Sequence, residues 1–221
     1  MGILDDTEMV SRFFVNTDPC TRDFVFRLPA DWWSRHYEYI WTSHFIQEDD
    51  ICLDAACGVM HPLKFYLKDH CKATYACDLD NRLFNEAVLK SEINRYFGSS
   101  GLTLYEQKYR KGIHYSKQSI INLDYDDQTF DKVFCISVLE HLDPSDMALS
   151  LQSFKRVMKD DGLLVITLDY PTVNLNGFVG MLQAAGLKFA GDYDLTLPVD
   201  AIYTRILGGL YCFRAVLKKD L

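Results

Sequence analysis

The chain has no excess of basic side chains. Its 31 acidic against 23 basic residues give a formal net charge of −8, with a pI near 5.2. A protein that grips a nucleic-acid backbone normally presents a basic face, so tight nucleic-acid binding is disfavoured. No apolar run approaches the ~18 residues of a membrane-spanning helix. The start, Met1-Gly-Ile-Leu-Asp-Asp-Thr, is acidic and reads as neither a signal nor a transit peptide. Asp6 stands where a myristoylation signal carries Ser or Thr. Seven cysteines are present, yet none forms Cys-x-x-Cys, and several lie in apolar strand-like runs such as Val133-Phe-Cys-Ile136. Buried reduced thiols in the cytoplasm are expected, with no metal site. Neither internal repeats nor low-complexity stretches occur.

What is present suits one ample domain. Hydrophobic residues make up 48% and charged residues 24% of 221. A chain of this length buries roughly 70% of its unfolded surface without staples.

Residues 1–49 are expected to form an N-terminal helical cap, with Pro19 and Pro29 as breakers and a helix from an Asp31 cap to Phe45. Trp33, Tyr37, Ile40, Trp41 and Phe45 share one face of that helix. From Asp50 on, strands alternate with helices. Strands are predicted at Ile51–Ala55, Thr74–Cys77, His114–Ser116, Asp131–Ile136, Leu163–Leu168, Leu187–Asp192 and Leu210–Leu217. Helices are predicted at Leu63–His70, Arg82–Phe97, Asp146–Met158 and Phe178–Ala185, with a linker over Gly98–Lys117. This pattern predicts an α/β fold over 50–221, a mostly parallel sheet with helices on both faces. The last two strands lack a helix between them and should be antiparallel. Ligands of such sheets bind beyond the carboxyl ends of the strands.

Two loops there carry chemistry. The first, Leu53-Asp-Ala-Ala-Cys-Gly-Val-Met60, has one glycine where a dinucleotide fold wants Gly-x-Gly-x-x-Gly. Phosphate cradling is disfavoured, and the acid Asp54 suits a ligand with positive charge. The second loop contains Asp78, 24 residues beyond Asp54. Its carboxylate can accept from both hydroxyls of a ribose. No tyrosine has lysine four residues on, which counts against a short-chain reductase.

The loop Leu53–Gly58 resembles motif I of the class I, Rossmann-like S-adenosylmethionine-dependent methyltransferases. The stretch Asp127-Gln-Thr-Phe-Asp-Lys-Val-Phe-Cys-Ile-Ser-Val-Leu-Glu-His-Leu142 resembles that family's fourth-strand signature with its Leu-Glu-His. Phe154-Lys-Arg-Val-Met-Lys-Asp-Asp-Gly-Leu163 resembles its turn into strand five. Three motifs in order span roughly Asp50 to Tyr170. Ala56 and Met60 replace motif-I glycines, and Asp160-Asp161 replaces Pro-Gly.

The resemblance implies a seven-stranded sheet of order 3-2-1-4-5-7-6. It implies S-adenosylmethionine as cofactor, with S-adenosylhomocysteine as product. Asp54, Ala55, Ala56 and Gly58 would line the methionine and ribose side. Asp78 would take the ribose hydroxyls, Leu79 would pack on adenine, and Ser119 and Ile120 would meet the adenine edge. Ser137 and Val138 would face the ribose and methionine portion. His141 and Asp169 are the catalytic candidates, and Trp33, Tyr37, Trp41 and Tyr170 the acceptor-side candidates. The expected acceptor is a small molecule with an O, N or C nucleophile, since no Asn-Pro-Pro-Tyr follows strand four. The expected assembly is a monomer or homodimer. A cofactor-binding protein that transfers no methyl, and a nucleotide-dependent oxidoreductase, are the alternatives.

Overall fold

The computed structural model describes residues 7–221, the side chain of Leu207 apart; Met1–Asp6, which carry most of the acidic start read above, lie outside the described residues. Strands β1 (Arg12–Phe13), β2 (Ile51–Ala55), β3 (Ala73–Asp78), β4 (Ile113–Lys117), β5 (Phe130–Ile136), β6 (Met158–Tyr170), β7 (Leu187–Phe189), β8 (Tyr203–Thr204) and β9 (Leu210–Lys219) form one sheet. Helices α1 (Arg35–Ser43), α2 (Leu63–His70), α3 (Glu86–Leu104), α4 (Pro144–Val157) and α5 (Leu175–Ala185) cover it.

The order is β1-β9-β6-β5-β2-β3-β4, with β7 and β8 also paired to β9. Strands β4, β3, β2, β5 and β6 are parallel, and β9 runs antiparallel to β6. The expected seven-strand core and its order are therefore present. The short β1 and β8 are additions that alternation alone did not reveal. The order of strand addition reverses between β2 and β5, the topological switch point at whose carboxyl ends such sheets bind ligands in a crevice.

The period-2 pattern divides the core between two faces. Val133, Cys135, Leu164 and Ile166 face Leu151, Phe154, Phe178 and Leu182 of α4 and α5. Phe134, Val165 and Cys212 face Trp41 and Phe45 with Leu63 and Leu67 of α2. Entry into β5 is fixed by Asp131, which accepts from the Ile51 amide at 2.8 Å and from Lys159 at 2.7 Å.

Several boundaries differ from expectation. Helix α1 starts four residues past Asp31, because Trp32 and Trp33 turn back on Pro29 and Asp31 instead. The span read as one helix from Arg82 is a 3-10 turn (Asn81–Phe84) followed by α3, whose first turn is capped by the Asn85 side chain. Gly98, at φ +70°, interrupts α3, but helix resumes to Leu104 and a π-turn follows over Tyr105–Tyr109. Most of the expected linker is thus helical. Strand β7 ends at Phe189, short of the predicted Asp192.

Candidate functional site

The loop after β2 is wound tightly on itself. Ala56 sits at φ +53° and Gly58 at φ +58°. Ala56 holds a conformation that glycine adopts freely and that costs an L-residue about 1–2 kcal/mol. At Gly58 a Cβ would lie 2.5 Å from His61 Cδ2, so the missing side chain is what lets the imidazole pack over the loop.

A buried lysine, unremarked in the sequence, organises the rest of this turn. Lys64, in the first turn of α2, is fully buried. Its three donors go to the carbonyls of Cys57 (3.2 Å), Gly58 (2.7 Å) and His61 (2.5 Å). The His61 ring is held against protonation by burial, with Arg35 and Lys64 adding to the effect. Burial also raises the Tyr39 hydroxyl well above its ordinary range. The neutral Tyr39 hydroxyl and His61 Nδ1 share a hydrogen bond of 2.6 Å. The Trp32 ring lies 5.0 Å from the imidazole.

The expected cofactor residues gather at this end of the sheet. Asp54 is 3% exposed, and its Oδ2 is buried without a partner. Burial pushes this carboxyl up to about 7, Lys64 opposes the rise and Asp78 adds to it. Asp78 ends β3, its Oδ2 accepting from the Gly58 amide at 2.7 Å and its Oδ1 from the Asp80 amide at 2.8 Å. Each of its oxygens keeps a lone pair for a further donor. Leu79 is 59% exposed beside it. Ser119 and Ile120 follow β4, whose Lys117 pairs with Asp78 across the ladder. Ile120 is buried and Ser119 half-buried.

Ser137, at φ +48°, is the residue that links the N-terminal segment to the crevice. The resemblance implies that Ser137 faces the cofactor's ribose and methionine portion. Its hydroxyl is tied to α1: Ser137 Oγ donates to Glu38 Oε1 at 2.8 Å and accepts from Arg35 at 2.7 Å. Thr167 Oγ1 donates to the same Glu38 oxygen at 2.6 Å, and Cys212 Sγ does so at 3.3 Å. Arg35 and Ser34 donate to Oε2. Burial works against ionisation of Glu38, yet Arg35 and the Thr167 and Ser137 hydroxyls hold its carboxyl below the usual range. Val138 packs half-buried on the core.

Beyond Val138 the chain makes a 3-10 turn over Leu139–His141. It turns Glu140 inward and His141 to solvent. The catalytic role expected of His141 is therefore not supported, and Glu140, its neighbour, is the buried one. Glu140 is 6% exposed with both carboxylate oxygens unpartnered, and burial raises it to about 8. Asp169, near the end of β6, has a buried, unpartnered Oδ1 and is raised to about 6 by burial and by Glu38.

The acceptor-side aromatics scatter. Trp41 is 2% exposed, T-shaped against Phe14 and Phe45 and under the Arg214 guanidinium, so it is core and not a substrate surface. Tyr37 leans on Phe14, and Tyr170 on Phe13 at 5.4 Å. Trp33 is half-buried against the same cluster as Trp41, so Trp32, not Trp33, covers the motif-I loop.

A grouping of His, Cys, Asp and Glu able to hold a metal ion does not occur among the described residues. No described helix is long and apolar enough to cross a membrane.

No curated protein matches the sequence. Solved structures share the fold. A SAM-dependent methyltransferase from Aquifex aeolicus is 19% identical, with 81% of this chain and 87% of that one covered and a TM-score of 0.52. The 1,6-didemethyltoxoflavin-N1-methyltransferase of Burkholderia thailandensis is 16% identical over 78% and 72%, with a TM-score of 0.53. The [4+2]-cyclase SpnF is 13% identical over 92% and 89%, with a TM-score of 0.58. The family model described as "Methyltransferase domain" matches residues 53–166, more than half of the chain and the stretch that carries all three motifs. The chain accordingly belongs to the methyltransferase-domain family and is a class I, Rossmann-like S-adenosylmethionine-dependent methyltransferase.

Proposed function

We propose that the enzyme moves a methyl group from S-adenosylmethionine to a small-molecule nucleophile. The observation that carries the residue assignment is that Asp54 and Asp78 stand at the ends of the adjacent parallel strands β2 and β3. One offers a buried oxygen with no partner, and the other a carboxylate already aimed by two amides. The first suits the ammonium of the cofactor's methionine portion, and the second suits its ribose hydroxyls. Ala55, Ala56, Gly58 and Val138 line the same crevice, Leu79 offers an apolar face to adenine, and Ser119 with Ile120 meets the adenine edge. The cofactor, when bound, supplies a methyl group made electrophilic by its sulfonium.

The chain's own part is to hold the acceptor in line and to keep water out. Residues 7–49 serve as the cap on this side. Arg35 and Glu38 tie α1 to Ser137 just after β5, which fixes the cap against this end of the sheet. Asp169 is the residue placed to take a proton from an acceptor. A small acceptor is in keeping with the 1,6-didemethyltoxoflavin-N1-methyltransferase that shares the fold. The acidic surface disfavours nucleic acid. Seven unpaired cysteines support a cytoplasmic setting.

A cofactor-binding enzyme that transfers no methyl is the second reading, favoured by the fold shared with a [4+2]-cyclase. Incubation with methyl-labelled cofactor separates the two. Label passing to a product supports transfer; tight cofactor binding with the label left on the cofactor refutes it.

A further inference from the structure

The crevice holds two buried carboxyls that the cofactor assignment leaves unused. Glu140 follows β5 and Asp169 lies near the end of the neighbouring parallel strand β6. Glu38 neighbours both. It accepts from Ser137, three residues before Glu140. It also accepts from Cys212, which pairs with Asp169 across the β6–β9 ladder. Glu38 itself is fully satisfied by Arg35 and four uncharged donors. Arg35 is thereby consumed, which leaves Glu140 and Asp169 with no counter-charge of their own.

Three carboxylate oxygens at this spot are buried and without a partner: both of Glu140 and Oδ1 of Asp169. Buried acceptors demand donors. A sulfonium carries no N–H or O–H and cannot supply them. A hydroxyl supplies one donor, whereas a primary ammonium supplies three together with the missing positive charge. We infer, resting on the transferase reading above, that the methyl acceptor is a primary amine, bound as its ammonium between Glu140 and Asp169.

The chemistry then balances with the cofactor as the only co-reactant. The ammonium gives one proton to the Asp169 carboxylate. After the amine turns about its C–N bond, the freed lone pair forms the N–CH3 bond as the CH3–S bond breaks, the bonding pair staying on sulfur. The methylated ammonium leaves, and Asp169 releases its proton to water. Groups facing this pair are Arg35 and Glu38 from α1, Cys135 from β5 and Cys212 from β9. Burial above all raises both acids, Glu140 to about 8 and Asp169 to about 6, with Glu38 adding to each rise and Arg35 opposing it. An ammonium bound between them lowers both, so each meets it as a carboxylate.

The test uses the full chain with methyl-tritiated cofactor and matched probes. Glucosamine is paired with glucose, phenethylamine with phenethyl alcohol, and putrescine with butane-1,4-diol. Expected is label on nitrogen in at least one amine and none in its alcohol partner. The same amines should raise the melting temperature of the S-adenosylhomocysteine complex. Glu140→Gln and Asp169→Asn should each lower the amine preference roughly ten- to a hundredfold, the scale of a charge-assisted hydrogen bond. Calorimetric affinity for S-adenosylhomocysteine should stay unchanged in both, and either folded variant suffices. Label on the alcohols, no label on any amine, or full amine preference in the variants overturns the inference. Failure of the wild-type chain to bind S-adenosylhomocysteine at all would overturn the cofactor reading beneath it.

Discussion

Glu38→Gln is the sharpest structural perturbation, because it removes a charge while keeping the side chain's volume. Glu38 is fully buried, and it faces Arg35, whose side chain is 17% exposed. The substitution strands the guanidinium in the crevice. It also turns an amide NH2 toward hydroxyls that had been donating. Breaking a buried pair on one side costs about 3–5 kcal/mol, and the residual solvent access of Arg35 points to the lower end of that range. That is a large share of the ~5–15 kcal/mol that holds a domain together. Arg35→Met should cost a similar amount, since it leaves Glu38 buried without its counter-charge, held by uncharged donors alone. The double variant leaves no lone charge, so it should cost less than the sum of the two by at least ~1 kcal/mol. Urea denaturation of the four proteins measures this coupling directly. Additivity within about 0.5 kcal/mol would refute the claim that Arg35 and Glu38 act as one unit.

Ala56→Gly should stabilise the chain, because relief of the φ +53° conformation outweighs the added freedom of the unfolded glycine. A gain of about 0.5–1 kcal/mol corresponds to roughly 1–4 °C in melting temperature for a chain of this size, and calorimetry showing a loss would contradict it. Gly58→Ala should do the reverse, since its Cβ would collide with His61. Asp54, Glu140 and Asp169 all have raised folded values of about 7, 8 and 6. Between roughly pH 4 and 8 the native state therefore binds more protons at these sites than the unfolded chain. Their stabilising contribution is complete at the acid end and falls as pH rises through the folded values. Chemical denaturation across pH 5–8 should show declining stability without cofactor, and Asp54→Asn should flatten the slope. A rise over that range would contradict the burial assignments. Glu38 acts in the opposite sense: its folded value is lowered, so its contribution is lost only as pH falls through the usual carboxylate range and below.

The order of the sheet was legible because the alternation of strands and helices leaves few right-handed arrangements. The positions of Asp54, Asp78, Ser119 and Ile120 in the fold were legible because each lies within three residues of a strand end, where sequence position and spatial position coincide. The Glu38 network was not. Its partners Ser137, Thr167 and Cys212 lie 99, 129 and 174 residues away. Nothing local in Arg35-His-Tyr-Glu38 announces that one carboxylate will be buried at the sheet's end. Lys64 was hidden for a related reason: on an amphipathic helix a lysine reads as solvated, and only the wrapped loop reveals three carbonyls converging on it. His141 and Trp41 failed in the other direction. Residue type favoured them, but the 3-10 turn after β5 and the packing of α1 on β9 decide which side chains face the crevice.

The central claim is that Asp78 and Asp54 make this crevice a site for S-adenosylmethionine. Isothermal titration of the intact chain with S-adenosylhomocysteine, against NADH and NADPH as controls, tests it most directly. The account predicts one-to-one binding of S-adenosylhomocysteine and none of the nicotinamides. It also predicts a loss of roughly 1.5–3 kcal/mol in Asp78→Ala, the scale of a hydrogen bond to a charged group. Absence of S-adenosylhomocysteine binding by folded protein, or an affinity that Asp78→Ala leaves unchanged, would contradict it.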